Sequence, residues 1–293
     1  LVSIDSVVVI GYGTARKKDL TGSVGMVSGD VIATRQTPQL SQALQGALSG
    51  VMVTRTSGFA SESASVRIRG ITTINNSTPL IVVDGIPGSL DNVNPDDVDQ
   101  VTVLKDGASA AIYGSRAASG VILITTKRGK SGVSLNYTAS LGIETPTALP
   151  QGETAVEYMR MYNEMAWNDN KNAPGNEFNT YTEDLISNYA SLHAENPDAY
   201  PDVDWMDVML NRSAPRHSHV LGLNAGSEKV ATRVSLAYDN FGAIYDNRNF
   251  ERITIRANND ITITDKLSTT VDLNFIRKMD NRPIRNFSYV DLR

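Results

Sequence analysis

The sequence contains no cysteine among its 293 residues. Disulfide bonds, thiolate metal sites and cysteine nucleophiles are therefore excluded. Only three histidines are present, and none of them lies in a catalytic motif. Neither a Ser-His-Asp arrangement nor a pair of acid and base carboxylates can be assembled from the motifs. The sequence thus predicts a protein that is not an enzyme and that carries neither a cofactor nor a metal ion.

Long apolar runs and a broad basic field are also lacking. No apolar run reaches roughly 18 residues, the length that predicts a membrane-spanning helix. The 27 basic and 32 acidic residues are interspersed and leave a net charge of −5, so nothing indicates nucleic-acid binding. Leu1 is not followed by the charged and apolar regions of a secretory signal. The length suits one large or two medium domains.

The first hundred or so residues mix short helical and extended patterns. The segment "TPQLSQALQGALSG" (37–50) predicts an amphipathic helix, with Thr37 as cap, Pro38 in the first turn and Gly50 after the end. "NPDDVDQ" (94–100) predicts a helical turn, and "GASAAIYGSRAASG" (107–120) a short helix. Short β-branched runs between turn residues predict strands at 51–55, 65–70, 79–87, 101–105 and 121–129. Residues 1–130 are expected to form a compact α+β unit.

After Gly132 the pattern becomes strictly alternating. In "VSLNYTASLG" (133–142) the apolar residues occupy one face and Ser, Asn and Thr the other, and the same pattern returns between 217 and 277. About five strands of some ten residues each are indicated, the length with which a tilted strand crosses a bilayer. A soluble β-sandwich alternates in the same way. The segment 150–215 is irregular, with one helix expected around 154–167.

Three motifs could indicate ligand sites. "GYGTAR" lacks the third glycine of a nucleotide-binding loop. His217 and His219 project from one face of a strand but lack a third metal ligand at a suitable spacing. "PDVDWMD" (201–207) lacks the glycine and closing glutamate of a calcium loop, and a solvated turn or a weak cation site both remain open. None of these three motifs is sufficient to predict a ligand site.

Several longer stretches resemble a known family. "VVVIGYGTARKKDLTGSV", "ALQGALSGVMVTRTSG", "SVRIRGITTINNSTPLIVVDGIP" and "VTVLKDGASAAIYGSRAASGVILITTKRGKSG" resemble the plug of SusC/RagA-like TonB-dependent outer-membrane transporters, nutrient importers of the Bacteroidota. The stretch from "DWMDVML" to "ITIRAN" (204–258) resembles the first barrel hairpins of that family. The resemblance runs nearly continuously from Val7 to Gly132 and then covers most of the remaining chain.

The resemblance implies an α+β plug followed by antiparallel strands of a transmembrane β-barrel. Family barrels have twenty-two strands, so the chain is expected to be the N-terminal part of a longer protein, with the rest of the barrel missing or present as another chain. The implied domains are a TonB-box and linker segment at 1–20, the plug at 21–132, and barrel strands with a long extracellular loop at 133–293.

The same resemblance implies function, partners and site residues. It implies TonB-dependent import of an oligosaccharide or peptide across the bacterial outer membrane, with a SusD-like lipoprotein on the surface and lipid around the barrel. Alternatives are a siderophore or haem receptor and a soluble β-sandwich interaction protein. The TonB-binding residues would be Ile4, Asp5, Ser6, Val7, Val8, Val9 and Ile10. Arginines contacting the barrel from the plug would be Arg67, Arg69 and Arg116. The substrate-binding residues are not predicted.

Overall fold

The structure, a computed structural model, describes residues 7–10, 13–16, 24–70, 77–106, 110–149, 151–245 and 247–282. Contact clustering divides the chain into two units. The first comprises the described residues of Leu1–Ile143, Pro215–Ala243 and Asn247–Arg293, and the second comprises those of Glu144–Ala214 and Ile244–Asp246. Within the described residues, no helix combines the length and the apolar character needed to cross a membrane.

The N-terminal part of the first unit (24–128) is built on a mixed five-stranded sheet. Its strands are β3 (Val24–Ser28), β6 (Leu80–Val83), β7 (Ile86–Pro87), β8 (Val98–Leu104) and β9 (Val121–Thr126), in the order β3-β8-β9-β6-β7. β6 pairs with β9 in parallel, and the other pairs are antiparallel. Separate two-stranded sheets join β1 (Val7–Ile10) to β2 (Gly13–Arg16) and β4 (Val51–Thr54) to β5 (Ser65–Ile68).

The central strands β8 and β9 contribute to both apolar clusters of this part. Val101, Val103, Ile122 and Ile124 are buried together with Leu44 in one cluster. A continuous β-branched run is typical of a strand that is covered on both faces. The strands expected at 51–55, 65–70, 101–105 and 121–129 are present with shifted ends, whereas the segment 79–87 is divided by a turn into β6 and β7.

The helices of the N-terminal part are shorter than the sequence predicts. Helix α1 covers Gly29–Ala33, and α2 covers only Leu40–Ala43. The expectation of one helix over 37–50 was therefore wrong, and the physical reason is Gly46, whose φ of 67° lies in the left-handed region. The expected turn after Asn94 is confirmed: a 3₁₀ turn covers Pro95–Asp97, and the Asn94 side chain accepts a hydrogen bond from the Asp96 backbone N–H at 2.9 Å.

The remainder of the first unit is an antiparallel sheet, called here the C-terminal sheet. Its strands, in order, are β10 (Gly132–Glu144), β11 (Ala214–Gly226), β12 (Val230–Gly242), β13 (Asn249–Thr264) and β14 (Leu267–Asn281). Each has 13 to 16 residues, longer than the ten expected. Short turns join β11 to β12 and β13 to β14, and β12 and β13 are connected by residues 243–248.

The C-terminal sheet exposes its apolar face and covers its polar face, which is the reverse of the arrangement in a soluble protein. The apolar face is open: Leu273 is 62% exposed and Phe275 is 56% exposed. The polar face is covered, and Arg252 and Asn258 on it are 2% and 1% exposed. A soluble sandwich would bury the apolar face, whereas a membrane barrel presents it to lipid and keeps the polar face inside. The strands are thus barrel strands, as the first of the two sequence interpretations had it.

The described residues of the second unit form three helices: α3 (Ala155–Asp169), α4 (Glu183–Glu195) and α5 (Trp205–Met209). Met159, Ile186 and Tyr189 form its small apolar core. Only α3 was expected from the sequence. Helix α4 was missed although Thr182 caps it and Glu183 and Asp184 fill its first turn, which is a recognisable start signal.

Candidate functional site

The covered face of the C-terminal sheet carries a buried ion pair. Arg252 on β13 donates from Nε to Oδ2 of Asp239 on β12 at 2.9 Å, and the Ser218 hydroxyl of β11 donates to the other carboxylate oxygen at 2.6 Å. Both charged side chains are almost completely buried. Because an isolated buried charge is very costly, removing either side chain would leave the other without its compensating partner.

A second buried ion pair joins this sheet to the N-terminal part. Arg256 of β13 lies 3.2 Å from Oδ2 of Asp84, and both side chains are less than a tenth exposed. Asp84 also accepts hydrogen bonds from the Thr126 backbone N–H at 2.9 Å and from its hydroxyl at 2.8 Å. The tight turn before Gly85 places Asp84 there with φ of 47°, in the left-handed conformation that Asp tolerates.

Polar contacts continue from this pair towards residue 128. The Asn258 amide donates to the Thr126 hydroxyl at 2.8 Å and to the Lys127 carbonyl at 2.9 Å. The Arg128 guanidinium makes two parallel hydrogen bonds to Asp272, at 2.8 and 2.6 Å. Burial lowers the pKa of Arg128, but the hydrogen bonds and the charge of Asp272 outweigh burial, so the pKa is raised. This bidentate geometry is the strong form of a charged hydrogen bond.

Towards the other end of the strands, the C-terminal sheet again supplies the cations. The Lys278 ammonium donates to the Asp91 carbonyl at 2.7 Å and to the Asn92 side chain at 3.2 Å. The Arg248 guanidinium lies 3.2 Å from the centre of the Phe59 ring and 3.5 Å from the Glu62 carboxylate. The loop between β4 and β5 is therefore held by a cation–π contact and an ion pair.

One buried carboxylate in this interface lacks a hydrogen-bond partner. Asp97 is 1% exposed, and among the described residues neither of its carboxylate oxygens meets a donor with hydrogen-bonding geometry. Burial raises the pKa of Asp97, while the nearby Ser235 hydroxyl, which does not reach hydrogen-bonding geometry with it, and the charges of Arg256 and Arg233 lower it by less. Burial and the neighbouring Asp97 charge also raise the pKa of Asp96. Burial of the Asp97 carboxylate therefore costs electrostatic free energy in this interface.

The arginines predicted from the sequence lie elsewhere. The strand that holds Arg67 ends at Ile68, and Arg69 has φ of 59°, so the two do not share a strand face as expected. Arg69 pairs with Asp106, 2.5 Å away in the same N-terminal part. Arg116 is exposed at a cleft that Ser41 and Asp91 also line. Among the described residues no ion pair joins Arg67 or Arg116 to the C-terminal sheet, so the barrel contact of the three arginines stays a prediction.

The residues that do make the contact were missed by the sequence analysis. They are mainly cations of the C-terminal sheet: Arg248, Arg256 and Lys278. A signal for them was available, because Arg252 and Arg256 occupy the polar positions of a strand whose alternate positions are apolar. A cation at such a position of a barrel strand points away from lipid and needs an acidic or carbonyl partner inside.

The remaining predicted positions are placed as follows. Of the proposed TonB-binding segment, Ile4, Asp5 and Ser6 lie outside the described residues, and Val7–Ile10 forms β1, with Val7 opposite Arg16 and Ile10 opposite Gly13. The rings of His217 and His219 are neighbours, 5.3 Å apart, and His219 Nδ1 lies 2.8 Å from the Tyr137 hydroxyl. The described residues contain no cluster of three or more potential metal ligands.

Comparisons with known proteins agree with this geometry. The TonB-dependent Receptor Plug Domain family matches residues 16–121. A TonB-dependent receptor of Formosa agariphila is 36% identical over 93% of the chain and 27% of its own length. The TonB-dependent receptor SusC of Bacteroides thetaiotaomicron is 35% identical over 87% of the chain and 24% of its own length. The chain thus spans about a quarter of the length of these relatives.

Solved structures show the same similarity. The chain superposes on a chain of the RagAB peptide importer in its open-open state with a TM-score of 0.75 and 29% identity, over 94% of this chain and 33% of that one. The siderophore receptor PirA of Pseudomonas aeruginosa, at 17% identity and a TM-score of 0.51, shares the fold alone. A plug followed by barrel strands defines the N-terminal part of a TonB-dependent receptor of the outer membrane. The chain belongs to the SusC/RagA-like family of these receptors.

Proposed function

We propose that the chain is the energy-coupled part of a transporter that imports a bulky nutrient, an oligosaccharide or a peptide, across the outer membrane. Residues 1–20 would contact TonB, residues 21–132 would close the barrel as a plug, and residues 133–293 would begin the barrel and its first long extracellular loop. A SusD-like surface lipoprotein would deliver the nutrient. Below, the N-terminal part (24–128) is called the plug and the C-terminal sheet the wall.

The observation that carries this proposal is the polar character of the contact between plug and wall. Its described hydrogen bonds include those of Arg256 with Asp84, Asn258 with Thr126 and Arg128 with Asp272. Such contacts exchange for hydrogen bonds with water when they separate, at a net cost of about 0.5–1.5 kcal/mol for a neutral pair and about twice that for a charged one. A plug held in this way can be loosened by pulling without exposing its own apolar core.

The conformation of the opening segment supports a pulling role. Among the described residues β1 has a single strand neighbour, β2. Its other edge can accept one more strand, whose backbone hydrogen bonds would supply affinity while side chains supply specificity. Val7, Val8, Val9 and Ile10 are β-branched and favour the extended conformation that strand addition needs. TonB would be the strand that is added.

Deletion of Ile4–Ile10 from the full-length protein tests this coupling. Cells that carry the deletion should insert the protein in the outer membrane normally but lose uptake of its cognate nutrient. Uptake is measured with labelled oligosaccharides, labelled peptides and a ferric siderophore in parallel, because the third substrate tests the siderophore-receptor alternative. Growth on the cognate nutrient at the wild-type rate would contradict the proposal.

A further inference from the structure

The second unit differs in charge from the rest of the chain. Residues 144–214 contain thirteen Asp and Glu but only three Lys and Arg, a net charge of −10, whereas the whole chain carries −5. The residues outside this segment are therefore net basic. A strongly acidic surface raises the local concentration of cations and speeds the arrival of cationic ligands.

This acidic unit exposes an apolar helix face that is partly covered at Tyr162, whose ring packs edge-on against Tyr181. Tyr158, Met161, Tyr162 and Met165 of α3 follow the spacing i, i+3, i+4, i+7 and form one stripe, called here the α3 stripe. Each is between 37% and 52% exposed. The packed face of the same helix is a different one, which buries Met159 and Asn163. Helix α3 thus has two apolar faces, of which the core of the unit uses one.

The composition of the exposed surface indicates the kind of ligand. Five of the eight methionines of the chain lie in this unit, and four of them, Met161, Met165, Met206 and Met209, are more than a third exposed. Flexible methionine side chains adapt to apolar side chains of varied shape and are typical of surfaces that bind many peptides. Neutral sugars carry no charge and would gain nothing from the acidic surface.

Acidic side chains border the α3 stripe. Glu157 and Glu164 lie on the flank of the helix next to the stripe, on the side away from the packed face, with Arg160 between them. Glu157 is ionised, since its pKa is lowered by hydrogen bonds from the Thr154 backbone N–H and hydroxyl. The rings of Tyr158 and Tyr162, 6.0 Å apart, add two faces to which a cation can bind. The α3 stripe, with an apolar centre and an acidic border, is therefore complementary to a ligand that has an apolar centre and cationic groups around it.

We infer that the α3 stripe is a docking surface for cationic amphipathic peptides. The peptide would place its apolar side chains on Met161, Met165 and Tyr162 and its Lys or Arg side chains against the acidic rim. This inference deepens the proposed function, on which it rests for its role in uptake: it selects basic peptides from the two nutrient classes. Binding itself does not depend on coupling to TonB.

Fluorescence anisotropy of the full-length protein in detergent tests the inference. The probe is a short fluorescein-labelled peptide of Leu and Lys in amphipathic order, and the comparison peptide replaces each Lys by Glu. The Leu–Lys peptide should bind, its affinity should fall as salt is added because the rim contacts are screened, and the Leu–Glu peptide should bind at least tenfold more weakly. Equal affinity for the two peptides would overturn the inference.

A pair of variants locates the surface. Met161→Gln combined with Met165→Gln keeps side-chain length and helix propensity but removes apolar contact, and should weaken binding roughly tenfold. The matched control is Met52→Gln, since Met52 is 55% exposed on β4, outside the second unit, and should leave affinity unchanged. Glu164→Gln should weaken binding by a smaller factor and flatten its salt dependence. Unaltered binding in the double methionine variant would refute the assignment.

Other occupants give different results. Competition by unlabelled maltohexaose that the double variant abolishes would identify a sugar surface instead. Loss of co-purification with the lipoprotein partner, without loss of peptide affinity, would identify a protein-docking face. The deletion of Ile4–Ile10 separates the two proposals: it should abolish uptake of the Leu–Lys peptide and leave its binding intact. Binding without uptake in the intact protein would contradict the proposed function alone.

Discussion

Arg256 of the wall and Asp84 of the plug form a buried ion pair across 172 positions of sequence, with Nη1 and Oδ2 3.2 Å apart. Asp84 also accepts two hydrogen bonds from Thr126, which hold its carboxylate in the orientation that the guanidinium contacts. The pair therefore links the turn after β6 to the covered face of β13 and marks where the plug is fastened.

Replacing Arg256 by Met should destabilise the protein strongly. The change leaves the Asp84 carboxylate buried without its cation, which costs on the order of 3–5 kcal/mol. The loss of stability is measured by thermal unfolding of the purified protein in detergent. Arg212→Met is the matched control, because the ion pair of Arg212 with Asp207 is largely exposed and exposed pairs contribute only about 0–1 kcal/mol. Equal melting temperatures for the two variants would contradict a role of the buried pair in fastening the plug.

Replacing Asp97 by Asn should change how stability depends on pH. Burial raises the pKa of Asp97 in the folded protein above its ordinary value of 3.8. The folded state therefore holds the proton more tightly than the unfolded state, and the stability that this provides is complete below pH 3.8 and is lost as pH rises through the folded pKa. The Asn variant should lack this decline and should be more stable than the wild type at neutral pH.

The pH dependence is measured as the melting temperature from acidic to neutral pH. Asp99→Asn is the control, because Asp99 belongs to the same stretch of chain but is exposed. Its profile should follow that of the wild type. A wild-type profile that is parallel to that of Asp97→Asn would show that the buried carboxyl does not set the decline.

Replacing Val8 by Pro should abolish transport without disturbing the barrel. Proline has no backbone N–H and is poorly tolerated where a strand must pair on both edges. In the structure Val8 pairs with Ala15 on one side. Val8→Thr is the matched control, since threonine is also β-branched and keeps the N–H. Uptake should be lost in the Pro variant and retained in the Thr variant, and outer-membrane insertion should be equal in both. Full uptake by Val8→Pro would argue against strand addition by TonB.

Replacing Thr154 by Ala should loosen helix α3. The Thr154 hydroxyl accepts from the Glu157 N–H, and the Glu157 carboxylate accepts from the Thr154 N–H, which is a complete capping box. Loss of the cap costs about 1 kcal/mol. Hydrogen exchange at the first turns of α3 should accelerate roughly fivefold, while exposed Thr147→Ala should leave it unchanged. Unchanged exchange in the Thr154 variant would mean that tertiary packing alone holds the helix start.

The sequence predicted the structure correctly where a feature depends only on residues close together in the chain. The alternation in β10 to β14 predicted strands with one apolar face, and the turn at Asn94 followed from its cap and from Pro95. It failed where a single residue overrides a pattern. Gly46 ends a helix that the apolar spacing would continue, and the φ of Arg69 turns that side chain away from the face of Arg67.

The candidate site was predicted in kind but not in its residues. A polar contact between plug and barrel was expected, with arginines on the plug, yet most of the described cations belong to the wall. Spacing could have singled out Arg252 and Arg256 as inward-facing. Asp239 faces Arg252 through the pairing of the neighbouring strands β12 and β13, but spacing could not have chosen Asp84 for Arg256, since a contact between distant segments is set by how the sheets pack.

By itself the sequence determined which faces the strands would have, where the plug would lie along the chain and to which family the protein belongs. These features depend on the period of apolar residues and on local motifs, and both can be recognised from residues that are consecutive in the chain. Only the tertiary structure decided which charges meet, that Asp97 is buried without a hydrogen-bond partner among the described residues, and that α3 keeps a second apolar face partly exposed. Those outcomes depend on contacts between residues far apart in the chain, where burial, and not sequence spacing, sets the energy of each group.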